Sequence, residues 1–183
     1  MKYILSLIAL CFLAFSAFGQ SKENPKQNSS AKSGMVSVSG KTFGSAELNG
    51  KVVVLNFWYT SCPPCLKEIP ELNKLVEEFK GKDVVFLGLA TDNKQKIEKF
   101  LKEKPFNYEI IPSATQFMFK FLEPDKEGNL RTAFPTHIVV DRTGKKVLYE
   151  TGIKGIEAVR QELNRQFKTE GKSKTADKVK KSD

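Results

Sequence analysis

Histidine and cysteine are nearly absent from this chain, and the shortage excludes several kinds of site. One histidine, His137, and three cysteines, Cys11, Cys62 and Cys65, are all that 183 residues supply. A structural zinc site takes four cysteine or histidine ligands, and Cys11 lies in an N-terminal leader, which leaves three such side chains. So few cysteines also rule out a scaffold stapled by several disulfides. No apolar run reaches the ~20 residues that span a bilayer comfortably, and no segment repeats. Basic and aromatic residues are not interleaved as on a nucleic-acid surface, so nucleic acid is not an expected partner despite a formal net charge of +9.

The ends of the chain read as appendages. Met1-Lys2 gives a basic start, Tyr3 to Phe18 an apolar centre and Ala17-Phe18-Gly19 a small-residue end. Residues 1–19 therefore read as a signal peptide cut after Gly19, sending the protein to a periplasmic or other extracytoplasmic space. An uncleaved membrane anchor is the alternative. Residues 20–34, QSKENPKQNSSAKSG, are expected to be a flexible polar linker, and the Lys-rich residues 168–183 a disordered tail. These segments carry much of the positive charge, which favours at most weak attraction to an anionic membrane. Residues 35–167 are enough for one domain with its own core. Without the leader only Cys62 and Cys65 remain, so they form the one internal disulfide open to the mature chain.

Those two cysteines sit where the chain changes character. Val52 to Phe57 is a run of β-formers that reads as a strand buried on both faces, and Trp58 follows it. After Cys62-Pro63-Pro64-Cys65, apolar residues at Leu66, Ile69, Leu72, Val76 and Phe79 recur at helical spacing. Cys62 thus lies at a helix N-terminus, where free N–H groups and the positive end of the helix dipole favour an anion. Thiols so placed ionise at roughly pH 3.5 to 7.5 instead of about 8.5, which marks Cys62 as an exposed, nucleophilic thiolate. Cys65, one turn on, can displace whatever Cys62 captures, making the pair a two-electron shuttle. A purely structural role for so small a disulfide loop is a poor reading, because closing it stabilises little. Pro63 and Pro64 bring no N–H to the thiolate, which points to a reducing potential.

Further along, Met35 to Phe43 reads as a hairpin and Val84 to Leu89 as a second buried strand. Thr91-Asp92-Asn93 caps a helix with Ile97, Phe100 and Leu101 inward. Residues 106–111 read as a strand and 116–122 as a short helix. His137 to Val140 and Val147 to Thr151 form a hairpin around Asp141-Arg142-Thr143-Gly144, and Ile156, Val159, Leu163 and Phe167 line a last helix. Glu68, three residues beyond Cys65, can lie near that cysteine on a helix and take its proton, or can be a solvated surface carboxylate. Trp58 either packs beside the active-site turn and limits water access or simply fills the core.

Three ordered pieces, Gly50 to Trp58, Cys62 to Pro70 and Phe134-Pro135-Thr136 ahead of a β-rich run to Asp141, resemble the thioredoxin superfamily. More narrowly, the chain resembles the TlpA/ResA-like thiol-disulfide oxidoreductases from about Ser37 to Phe167. The resemblance implies an α/β fold: a thioredoxin-like three-layer sandwich, a central mixed β-sheet with helices on both faces and an N-terminal β-hairpin. It implies a protein thiol-disulfide oxidoreductase with Cys62, Cys65, Glu68 and Pro135 as catalytic residues, Pro135 following a cis bond. Trp58, Pro63, Pro64, Phe134 and Thr136 would meet substrate. No cofactor is expected beyond the redox-active Cys62–Cys65 disulfide. The expected partners are proteins with disulfides, apocytochrome c among them, and a membrane thiol electron donor, with the protein itself a monomer.

Two features depart from near alternatives. Asn56 stands where cytosolic thioredoxins have a buried Asp, which moves proton handling toward Glu68 or water. Leu55 and Tyr59 occupy the places a peroxiredoxin would give to Pro and Thr or Ser around its reactive cysteine. The competing functions are a disulfide-forming oxidase or isomerase with the same motif, and a copper-binding chaperone in which His137 joins Cys62 and Cys65. Copper-binding thioredoxin folds space their cysteines by three residues rather than two, and a partly buried structural His137 is the simpler reading.

Overall fold

The computed structural model describes residues 34–122, 124, 126–129 and 133–179, with side chains as far as residue 168. The expected leader, almost all of the linker and the last four residues lie outside the described residues. The described chain opens with an antiparallel hairpin of β1 (Met35–Val36) and β2 (Thr42–Phe43), then a single helical turn α1 (Ser45–Leu48). β3 (Val52–Trp58), α2 (Pro63–Glu78) and β4 (Val84–Ala90) make a parallel βαβ unit. α3 (Lys94–Leu101), β5 (Glu109–Ile111) and α4 (Thr115–Phe119) follow, then β6 (Thr136–Val140), β7 (Lys146–Thr151) and α5 (Gly155–Val179).

The five-stranded sheet has the order β5-β4-β3-β6-β7, with β3, β4 and β5 parallel and β6 and β7 antiparallel to their neighbours. β3 is central, and every one of its residues is buried. Alternation along the strand sends its side chains into two layers. Val52 and Val54 meet Leu72, Leu75 and Phe79 of α2 with Ile156, Val159 and Leu163 of α5. Val53, Leu55 and Phe57 meet Met35, Met118 and Ile138 on the opposite face. Helices therefore cover both faces, as the resemblance implies, and the hairpin is tied to the β5 edge by Val38 N donating to Ile110 O at 2.8 Å.

The parity of β3 also decides where its one polar residue goes. Asn56 falls on the α2/α5 side, and antiparallel register sets it opposite His137. Both are polar residues in strands that are otherwise almost wholly apolar, and both are buried.

Two elements differ from expectation. α1 is not anticipated, because four residues are too few to display a periodicity; Glu47 Oε2 accepts from Gly44 N at 2.8 Å and closes the turn. α5 continues past Phe167 to Val179, into the segment expected to be a disordered tail. A Lys-rich composition argues against a buried face, yet lysine is a good helix former. No helix among the described residues is long and apolar enough to cross a membrane.

Candidate active site

Cys62 is the N-cap of α2, with Pro63 and Pro64 as the first two helical residues. Proline at these positions costs no intrahelical bond, but it removes two of the N–H groups that point out of a helix start. The first available amide is that of Cys65, which donates to Cys62 Sγ at 3.3 Å, and Leu66 N then donates to Cys62 O at 3.0 Å. Cys62 and Cys65 are joined as a disulfide with Cα atoms 5.3 Å apart. The helix start thus offers the Cys62 sulfur one backbone donor.

The turn that delivers Cys62 is held from the next strand. Cys62 N donates to Tyr59 O at 3.1 Å, and Asp92, just beyond β4, accepts from Thr60 N at 2.6 Å and from Lys96 Nζ at 2.6 Å. Burial alone would raise the Asp92 carboxyl, but these hydrogen bonds outweigh it and hold it below the usual aspartate range. A carboxyl lowered on folding stabilises fully above its unfolded value of about 3.9 and loses that contribution as the pH falls toward its folded value. Asp92→Ala is therefore expected to lose about 1.5–3 kcal/mol near neutral pH, the range for hydrogen bonds to a charged group. Urea unfolding at pH 7 and pH 3 checks this: the gap between wild type and variant narrows at the lower pH, and an equal gap at both contradicts it.

The expectation of an exposed Cys62 is corrected by the structure. Cys62 is only 1 % exposed and Cys65 2 %. Both belong to a cluster with Trp58, Ala90, Ile97 and Ile110, against which Tyr59 and Phe134 pack. The Tyr59 and Phe134 rings meet edge-on with centroids 5.1 Å apart, joining the turn before Cys62 to the loop before β6.

Trp58 and Thr136, both expected to meet substrate, are buried. Trp58 is buried and stacks at a tilt on Phe106 and Phe100, with centroids 4.6 and 5.4 Å away. It belongs to the buried cluster that also holds both cysteines. Gly88 makes room for it, since a Cβ there would lie 3.0 Å from Trp58 Nε1 and 2.5 Å from Ile110 Cδ1. Thr136 is fully buried and donates its hydroxyl to Ala133 O at 2.5 Å, so it shapes the loop. Pro63 is exposed, and Pro64 and Phe134 are half-buried. The Phe134–Pro135 bond is cis, and Pro135 O accepts from Gly152 N at 2.8 Å.

Glu68 is not a solvated surface residue. Its side chain is fully buried, and Oε2 lies 3.2 Å from Nε2 of His137, itself fully buried. Asn56 Nδ2 lies 3.1 Å from Glu68 Oε1 and 3.4 Å from His137 Nδ1, while Tyr108 donates its hydroxyl to Asn56 Oδ1 at 3.3 Å. Burial and the Glu68 charge push the Tyr108 phenol well above its ordinary range, so it remains a donor. The sequence singles out Glu68 and Asn56 but not their connection to His137 and Tyr108. The available signal is the polar residue in each of two apolar strands, which the β3/β6 register makes neighbours.

Comparison with known proteins places this geometry among relatives. The Redoxin family matches residues 25–162. The chain is 31 % identical over 150 residues to the thiol-disulfide oxidoreductase ResA of a Bacillus cereus strain, covering 79 % of this chain and 83 % of that one. It is 25 % identical over 151 residues to ResA of Bacillus subtilis (strain 168), covering 81 % and 80 %. Among solved structures it is similar to a thiol:disulfide interchange protein of the thioredoxin family from Chlorobium tepidum TLS. There the TM-score is 0.62 and the identity 25 %, over 73 % of this chain and 91 % of the other.

Proposed function

This chain belongs to the Redoxin family and is a thiol-disulfide oxidoreductase, and from that premise we propose that it acts as a reductant of protein disulfides outside the cytoplasm. The observation that carries the direction is the single backbone N–H that α2 offers to Cys62 Sγ. A thiolate with one such donor is held less firmly than the several N–H groups of a proline-free helix start would hold it, so the dithiol form gives up its electrons more readily. Cys62 attacks the substrate disulfide, Cys65 resolves the mixed disulfide, and Glu68 takes the proton from Cys65. Exposed Pro63 and half-buried Pro64 and Phe134 form the surface that receives an extended substrate segment, and the buried, cis-linked Pro135 sets the course of the loop that carries Phe134.

An oxidising compartment would leave the pair as a disulfide, so a membrane thiol carrier must return electrons to it. Apocytochrome c is the substrate that the resemblance to ResA-like proteins favours, and the protein works as a monomer exported by residues 1–19. Equilibration of the Cys62–Cys65 couple with redox buffers tests the direction. A midpoint near or below the value of about −270 mV typical of thioredoxin is expected, and a value near the −120 mV or so of a strong oxidant overturns it.

A further inference from the structure

Glu68, His137, Asn56 and Tyr108 form a hydrogen-bonded set whose donors and acceptors can be assigned one by one. Tyr108 donates to Asn56 Oδ1, which turns the two Nδ2 hydrogens of Asn56 toward Glu68 Oε1 and His137 Nδ1. His137 Nδ1 is therefore an acceptor and carries no proton. The imidazole is then the neutral tautomer with its hydrogen on Nε2, which donates to Glu68 Oε2. Glu68 accepts one N–H on each oxygen, so the two bonds fix the plane of its carboxyl group. The reverse orientation of Asn56 would set its carbonyl against a carboxylate oxygen.

The ring is fixed in place as well as bonded. A Cβ at Gly155, where α5 begins, would lie 2.5 Å from His137 Cδ2, so the backbone of α5 presses on the imidazole edge. Among the described residues, α2, the segment before β5, β7 and α5 bring ionisable groups around the pair. Cys65 and Glu68 come from α2, and Tyr108 from the segment before β5. β3 contributes only the neutral Asn56. Glu150, the register partner of His137 on β7, is exposed. On α5, Arg160 is engaged with Glu71, Glu78 and Glu157.

We propose that His137 is a positioning residue for the resolving step: as a neutral Nε2–H donor it holds Glu68 as an oriented carboxylate, ready to take the Cys65 proton. This rests on the reading of Glu68 as proton acceptor. In that step the Cys65 Sγ–H proton passes to Glu68, and the Cys65 sulfur attacks Cys62 Sγ of the mixed disulfide. The bond from Cys62 Sγ to the substrate sulfur breaks. The electron pair leaves on the substrate thiolate, which regains a proton from Glu68 or water. The Cys62–Cys65 pair ends oxidised and the substrate reduced.

The test uses the reduced protein and the small disulfide dithiobis(nitrobenzoate), which releases one coloured thiolate when Cys62 attacks and a second when Cys65 resolves. Glu68→Gln is expected to slow only the second release, by roughly a hundredfold, at the low end of general-base contributions. His137→Leu is expected to slow it about tenfold at pH 7 and to move its rise to higher pH, and His137→Gln, which restores an N–H donor, recovers part of the rate. If Glu68→Gln leaves the second release unchanged, the reading of Glu68 falls and this inference with it. If Glu68→Gln slows it while His137→Leu matches wild type in rate and pH profile, this inference alone falls.

Because the chain has one histidine, its imidazole ¹⁵N signals are unique, and wild type decides the matter should the leucine variant not fold. Protonation on Nε2 alone at pH 7 is expected. An imidazolium, or the Nδ1–H tautomer, overturns the assignment and the proposal.

Discussion

Cys62→Ser is expected to lower the rate of disulfide exchange by at least about a thousandfold, as removal of an attacking nucleophile does, whereas Cys65→Ser is expected to arrest at a mixed disulfide. The asymmetry follows from position. Cys62 caps α2 and receives the Cys65 amide, so it is the sulfur whose ionised form the helix start favours. Cys65 lies one turn inside the helix, with the Glu68 carboxylate another turn along the same α2. A serine at 62 leaves no thiolate to capture substrate. A serine at 65 leaves Cys62 reactive and removes the group that would release what it captures. Stopped-flow release of a chromogenic thiolate, with mass spectrometry of the protein, separates the two: a stable adduct on Cys62 in Cys65→Ser, none in Cys62→Ser. The opposite pattern would reverse the roles assigned to the two sulfurs.

Trp58→Ala is the substitution with the largest expected cost in stability, about 3–5 kcal/mol, the range for truncating a buried aromatic residue. Against a total of roughly 5–15 kcal/mol for a domain, that is about a fifth or more of what holds the fold together. The indole joins β3 to Phe100 and Phe106 within the cluster that also holds both cysteines, so its loss opens a cavity in that cluster. Trp58→Phe is expected to cost far less. The buried Nε1–H finds no acceptor among the described residues, and removing an unsatisfied donor regains about 1–3 kcal/mol against the lost area. Urea unfolding midpoints for the two variants check the order; a phenylalanine variant as unstable as the alanine one would mean that the indole N–H is bonded after all.

Much of this arrangement can be read from the chain before any coordinates, and the parts that can share a property. The β3 run, the helical spacing from Leu66 to Phe79 and the hairpin from Met35 to Phe43 are local, and each element is written in a few consecutive residues. Asn93 caps α3 by accepting from Lys96 N at 3.0 Å, which the segment Thr91-Asp92-Asn93 announces. The burial of Cys62 cannot be read this way, because it depends on Trp58, Ala90, Ile97 and Ile110, which come together from β3, β4, α3 and β5. Helix-terminus reasoning fixes the electrostatics of that sulfur but not what lies over it.

The pairing of Glu68 with His137 is hidden for a similar reason. It needs the register of β3 against β6, the parity that turns Asn56 and His137 to one face, and the rotation of α2 that brings Glu68 over that face. A solvated glutamate and a buried proton acceptor have the same sequence signature when only a helical spacing is known. The length of α5 shows the converse, since a composition that cannot build a core can still continue a helix.

Brief alkylation of the reduced protein across a pH series, with the modified residue mapped by mass spectrometry, tests the account most directly. The account predicts modification of Cys62 in preference to Cys65, with a rate that rises at a pH below the value of about 8.5 at which a free cysteine ionises. Preferential labelling of Cys65, or a Cys62 that reacts only where an ordinary thiol does, would contradict it.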